Sequence, residues 1–174
     1  IEEYTGIKVV GVLPYLRDVH IEGEDSLSIN FQHTSGAKET LDIGIVRLPY
    51  ISKHTDMEIF QYEADVNIRF IDEFTSLDKF DAIIIPGTKS TIGDLEYIEG
   101  IGLAEKLKTF NGYIFGICGG YQIMGEDLFD EEGIDFKPGY RKQGLGLLPL
   151  STHFQRQKEV GQVNARGIHP LAQD

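Results

Sequence analysis

The sequence predicts an α/β protein built on an open, mostly parallel sheet with helices on both faces. Three observations carry that prediction. Strand-like apolar runs alternate with helix-like stretches at short spacing between Leu41 and Met124, the pattern of right-handed βαβ units. The run Ala82-Ile83-Ile84-Ile85 is continuously apolar, as expected of a strand covered on both faces. Finally, Tyr113 to Ile117 leads through Gly116-Ile117-Cys118-Gly119-Gly120 into a helix-like pattern, a strand, sharp turn and helix with a nucleophile type at the turn.

Taken in order, Ile7 to Leu13 is strand-like and stops at Pro14, and an acidic, polar connector follows. Residues 26–37 carry mixed signals, with Leu27, Ile29 and Phe31 alternating, and are not assigned. Leu41 to Val46 reads as the first core strand, halted by Pro49. Thr55-Asp56 is capping chemistry for a helix presenting Met57, Ile59 and Phe60, with Tyr62 near its end. Val66 to Ile71 alternates as a strand, and Asp81 to Gly87 forms the central one. Ser90, Thr91 and Asp94 mark a helix start with Leu95 and Ile98 behind it, and a second helix spans about Leu103 to Phe110. Tyr113 to Ile117 reads as a buried strand, and Ile123, Met124 and Leu128 fall at helical spacing after it. Asp130 to Asp135 reads as solvated acidic surface. Gln143 to Leu150 reads as a loop entering a strand, and Val160 to Ala165 as one more strand.

Composition narrows the function. The 174 residues suit one ordinary domain with a sizeable core, and 41% hydrophobic with 25% charged residues is ordinary globular composition. A formal net charge of -12 opposes binding to nucleic acid or an anionic membrane through the general field. No apolar run approaches a membrane span. One unpaired cysteine and no secretory leader point to a cytoplasmic protein.

Cys118 is the candidate nucleophile. A sharp turn lifts its sulfur out of the sheet edge towards a substrate and sets it beside a helix N-terminus, where thiolate is favoured over thiol. The N–H of Gly119 is then available to an oxyanion. The competing reading is a buried structural cysteine, since free cysteine is often buried. Residues 86–91, Pro-Gly-Thr-Lys-Ser-Thr, lack P-loop spacing. On their own they read as a plain strand-to-helix turn. The functional reading is an oxyanion donor from the N–H of Gly87 or Thr88, facing Gly119. The five histidines, His20, His33, His54, His153 and His169, have no setting that marks a catalytic base. No Cys/His cluster has zinc spacing, so no metal is expected.

Four motifs in order match a known family: Arg47-Leu48-Pro49-Tyr50-Ile51-Ser52 with Thr55-Asp56; residues 86–91; Gly116 to Gly125; and Gly144-Leu145-Gly146-Leu147-Leu148-Pro149. The chain resembles the C-terminal glutamine amidotransferase domain of the cobyric acid synthases, triad-type enzymes of cobalamin biosynthesis. The resemblance implies a flavodoxin-like fold of the class I amidotransferase kind. It implies Cys118 as nucleophile on the glutamine side-chain amide, with backbone N–H groups near Gly87 and Gly119 holding the oxyanion. It implies no cofactor in this domain, with ATP and Mg²⁺ serving a synthetase domain that precedes it in the same chain and amidates corrin carboxylates. Residues 1–38 are then a linker and the tail of that synthetase domain, and 39–174 the amidotransferase domain. The family's catalytic histidine lies in a late Thr-Tyr-Leu-His-Gly-like motif that this sequence lacks. A domain shortened at its C-terminus, holding the nucleophile without its base, is the resulting expectation. Two readings compete: the glutaminase of a cobyrinic acid a,c-diamide synthase or a cell-wall amidating complex, and an inert flavodoxin-like docking domain.

Overall fold

The computed structural model describes residues 1–12, 32–33, 40–52, 54–157, 161–162 and 164. Its main sheet has five strands: β1 (Gln32–His33), β2 (Leu41–Val46), β3 (Val66–Ile71), β4 (Ala82–Ile85) and β5 (Tyr113–Gly116). The order is β1-β3-β2-β4-β5, with β3, β2, β4 and β5 parallel and β1 antiparallel at one edge. Among the four parallel strands the chain starts in β2, moves outward to β3, then returns past β2 to β4 and β5. The order therefore reverses between β2 and β4, and the crevice outside the carboxyl ends of those strands is where ligands gather in such sheets.

Side-chain alternation divides the core in two. Val46, Ile71, Ile83 and Ile85 face three helices, α2 (Thr91–Gly100), α3 (Leu103–Lys108) and α4 (Gly119–Ile123), which contribute Ile92, Leu95, Ile98, Leu103, Leu107 and Ile123. Ile43, Ile45, Ile68, Ala82 and Ile84 face the other way, against Met57 and Phe60. All four residues of β4 are buried, which is why that strand shows no polar alternation.

Several expectations need correction. Residues 54–62 form a 3-10 segment (His54–Tyr62) rather than an α-helix. Side chains three apart eclipse in a 3-10 helix, so Met57 and Phe60 both reach the sheet. Ile59, expected on the same apolar face, is exposed, as is Tyr62 near the end of the segment. Strand β5 is an edge strand with no partner beyond β4 among the described residues, so Tyr113 and Phe115 are about half exposed where a buried strand was expected. Helix α4 stops at Ile123, and Leu128 belongs to a second sheet of β6 (Asp127–Asp130), β7 (Tyr140–Gln143) and β8 (Ser151–His153), ordered β7-β6-β8. Near the N-terminus, Glu2–Thr5 forms a short helix α1, closed by Gly6 at φ 68°, and residues 7–12 run exposed with no strand partner among the described residues. The expected strand there is absent from 7–12, since an apolar run without a neighbouring strand has no ladder to join. The strand expected at 160–165 and the alternating stretch 26–31 fall largely or wholly outside the described residues. Among the described residues no helix is long and apolar enough to cross a membrane.

Candidate functional site: an exposed cysteine on a strained turn

The site is assembled by four loops. The chain leaves β5 at Gly116 and reaches Cys118, whose backbone sits at φ 49°, ψ -110°. Among the described residues Cys118 alone, apart from glycines, has positive φ. A side chain in that region is strained, and such strain persists only where the surroundings enforce it. The enforcement comes from packing. A β-carbon at Gly116 would lie 2.5 Å from Tyr121 Cα, and one at Gly120 would run into the carbonyl oxygen of Ile85. Glycine at both positions lets α4 fold back tightly against β5 and β4, and the residue between them is forced outward. Cys118 is a free, exposed thiol.

The loops after β2 and β4 are laced together beside it. Ser52 N–H donates to Gly87 C=O at 2.8 Å, and Lys89 N–H donates to Tyr50 C=O at 3.0 Å, with Ile51 and Thr88 paired as a single bridge. This brings Gly87 against the cysteine: a β-carbon on Gly87 would be 3.8 Å from Cys118 Cβ. Thr88 comes against Gly119, whose own β-carbon would lie 3.3 Å from Thr88 N. The backbone N–H groups of Thr88 and Gly119 have no acceptor among the described residues. The predicted residues Cys118, Gly87 and Gly119 are thus neighbours at the carboxyl ends of β4 and β5.

The fourth motif braces the turn from behind. Helix α4 is five residues long, and its final carbonyls need partners. Residues 145–148 supply them: Leu145 N–H donates to Ile123 C=O, Gly146 N–H to Gly125 C=O, and Leu147 and Leu148 N–H to Met124 C=O, all at 2.8–3.0 Å. A β-carbon at Gly144 would strike the carbonyl of Gly125, so that motif, too, needs glycine for close approach.

Three carboxylates that sequence reasoning did not place in the site hold the loops. Asp94, in the first turn of α2, is fully buried. It accepts the Thr88 hydroxyl on one oxygen and Tyr50 N–H, at 3.2 Å, on the other. Burial pushes its carboxyl above the ordinary aspartate value, against the lowering effect of those two donors. Asp135 caps α2 from outside, accepting Thr91 N–H at 2.9 Å and Ile92 N–H at 2.7 Å. Ser90 occupies the N-cap position, yet its side chain makes no cap bond. Asp130, expected in solvent, is fully buried instead. It accepts N–H groups of Ile134, Asp135 and Phe136 at 2.6, 3.2 and 2.7 Å, folding the acidic stretch into a loop that aims Asp135 at α2. Burial alone would raise its carboxyl, but these amides outweigh it and hold the group below the ordinary value. The signal for Asp94 was present in its spacing from residues 86–91, but first-turn carboxylates at helix starts are common enough to hide it.

No histidine is hydrogen-bonded to Cys118 among the described residues. His153 lies flat on Phe129 in the second sheet, with ring centroids 4.5 Å apart. The side chains of His33 and His54, and all of His20 and His169, fall outside the description. Among the described residues no three His, Cys, Asp or Glu side chains converge as metal ligands would. A groove of about 870 Å³ lies at the other end of the sheet, beside the starts of β4 and β5, and shares no residue with the cysteine site.

Comparison with known proteins places the chain in a family. A family model described as a CobB/CobQ-like glutamine amidotransferase domain matches residues 42–172. A cobyric acid synthase of Nostoc sp. is 44% identical over 161 residues, covering 91% of this chain and 32% of that protein. One from Geobacillus sp. is 41% identical over 162 residues, covering 90% and 32%. A probable cobyric acid synthase of Methanothermobacter thermautotrophicus is 41% identical over 175 residues, covering 97% and 34%. The chain spans about a third of the length of these curated relatives.

Proposed function

The chain belongs to the family of CobB/CobQ-like glutamine amidotransferase domains, and from that premise we propose that it is the glutaminase domain of a cobyric acid synthase. The observation that carries the reading is Cys118 itself: exposed, strained, and beside Thr88 and Gly119, whose backbone N–H groups have no acceptor among the described residues.

In the proposed mechanism the Cys118 thiolate attacks the side-chain amide carbon of glutamine. The carbonyl electron pair moves onto oxygen, and N–H groups of the 87–88 segment and of Gly119 receive the negative charge. Collapse of this intermediate breaks the C–N bond, and the leaving nitrogen takes up, through solvent, a proton equivalent to the one the thiol gave up and departs as ammonia. Water then hydrolyses the γ-glutamyl thioester, releasing glutamate and restoring the thiol. Backbone donors suit this task because they are already oriented when charge develops. Strain at Cys118 serves the same end, since the sulfur needs no reorientation to attack. The ammonia would pass to a synthetase domain of the same polypeptide, where ATP and Mg²⁺ activate corrin carboxylates for amidation. Residues 1–38 are read as the tail of that domain and its linker.

The test is glutamine hydrolysis by the full-length protein that carries this domain, with and without Cys118→Ala. We expect the substitution to lower glutamate release by roughly a thousandfold or more, because it removes the covalent route altogether. A diazo-ketone analogue of glutamine should label Cys118 and no other residue. An unlabelled cysteine in folded, full-length protein would overturn the proposal.

A further inference from the structure

Asp94 makes no hydrogen bond with Cys118, yet both of its oxygens are committed beside the site. Both of its oxygens are spent on the two loops that flank the cysteine, and neither on the amides of its own helix. One accepts the Thr88 hydroxyl from the loop after β4, and the other accepts Tyr50 N–H from the loop after β2. Thr88 Oγ1 in turn accepts Ser90 N–H at 3.0 Å, so the hydroxyl is held at both its lone pair and its hydrogen. The Thr88 methyl then packs where a β-carbon on Gly119 would lie, only 2.5 Å away, and Thr88 N sits beside the same glycine. The only other charge described as acting on Asp94 is Asp135, whose repulsion makes the position costlier still. A buried carboxylate beside a second carboxylate is expensive for the fold. What it obtains here is a fixed position for one backbone N–H.

We infer that Asp94 is a positioning residue for glutamine hydrolysis: through the Thr88 hydroxyl it sets the Thr88 N–H opposite that of Gly119, so that the two donors converge on the oxygen of the attacked amide. This rests on the proposed glutaminase reading. The relay has a specific chemical consequence. Acyl transfer at Cys118 develops an oxyanion and depends on these donors. Alkylation of the same sulfur by iodoacetamide displaces iodide at a saturated carbon, develops no oxyanion, and does not depend on them.

The experiment compares wild type, Asp94→Asn, Thr88→Val and Thr88→Ser in the full-length protein that carries this domain. It measures kcat and KM for glutamine hydrolysis, and the iodoacetamide alkylation rate of Cys118. Misplacing one oxyanion donor without deleting it should lower kcat by roughly 10- to 100-fold in Asp94→Asn and Thr88→Val. KM should change by no more than about threefold, since the interaction is made in the transition state. Alkylation should stay within about twofold of wild type, and Thr88→Ser, which keeps the hydroxyl, should restore most of kcat. Retention of kcat in Asp94→Asn and Thr88→Val would overturn the inference. So would parallel loss of kcat and alkylation, which would place Asp94 in support of the fold or of the sulfur. If Asp94→Asn does not fold, the Thr88 pair decides alone: equal loss in Val and Ser overturns the relay. Full-length wild type that alkylates but does not hydrolyse glutamine would sink the glutaminase reading, and this inference with it.

Discussion

Gly120→Ala is the sharpest test of how the turn is built. The added β-carbon would point into the end of β4. It would lie 2.6 Å from the Ile85 carbonyl carbon and 2.7 Å from the Pro86 carbonyl oxygen, with the Ile85 oxygen closer still. Non-bonded carbon atoms settle at about 3.5–4.0 Å, so α4 and β4 must separate by about 1 Å. None of these atoms is the end of a flexible side chain; all are backbone in the central strand or the loop after it. Overpacking of this kind costs about 1–3 kcal/mol, or roughly 2–12 °C of Tm for a chain of this size. The larger effect is catalytic. Cys118 is two residues from the new methyl, and a 1 Å misplacement is worth about a hundredfold in rate. Thermal unfolding and glutamate release, measured side by side, should therefore show a modest stability loss and a much larger activity loss. Gly100→Ala is the control: Gly100 ends α2 with nothing within 4 Å of its β-carbon position. That change should leave activity alone and stabilise by about 0.5 kcal/mol or be neutral. If Gly120→Ala matched this control in both measurements, tight packing of α4 on β4 would not be what shapes the elbow.

Two further predictions concern the acidic loop. Asp130→Asn should cost about 1–3 kcal/mol at neutral pH, because a buried carboxylate that satisfies three amide donors is replaced by a group that presents a donor to them. The folded carboxyl is held below the ordinary value of 3.8, so its stabilisation is present above 3.8 and lost as pH falls through the folded value. The Tm gap between wild type and Asp130→Asn should accordingly shrink in acid; a gap unchanged down to pH 3 would contradict the amide-bonding account. Asp135→Ala should cost about 1 kcal/mol by uncapping α2, seen as a lower denaturant midpoint with an unchanged slope.

Strand periodicity and glycine spacing made much of the molecule legible in one dimension. Val66–Ile71 is a strand over its predicted length because alternation is a local property of a half-buried ribbon. Ala82–Ile85 is central because a run apolar on both sides must be covered on both sides. The elbow was legible because glycines two residues either side of a cysteine record a steric demand that no other residue satisfies. Edge or centre was not legible for Tyr113–Gly116, since that depends on which strand lies alongside, and nothing within the segment encodes it. Nor was the fate of Asp130, whose partners are backbone amides that converge only after the loop closes.

The sequence by itself determined the fold class, the turn and the cysteine at its apex, because each follows from neighbours a few residues apart. Only the tertiary structure decided what lies beside that cysteine. Gly87 and Thr88 come from a loop some thirty residues upstream, Asp94 ties that loop to Tyr50 across a gap of 44 residues, and residues 145–148 close the far end of α4. Contacts between residues so distant in the chain are set by how the strands are ordered across the sheet and how closely the helices approach it. Those are properties of the packed core, and no local stretch of residues carries them.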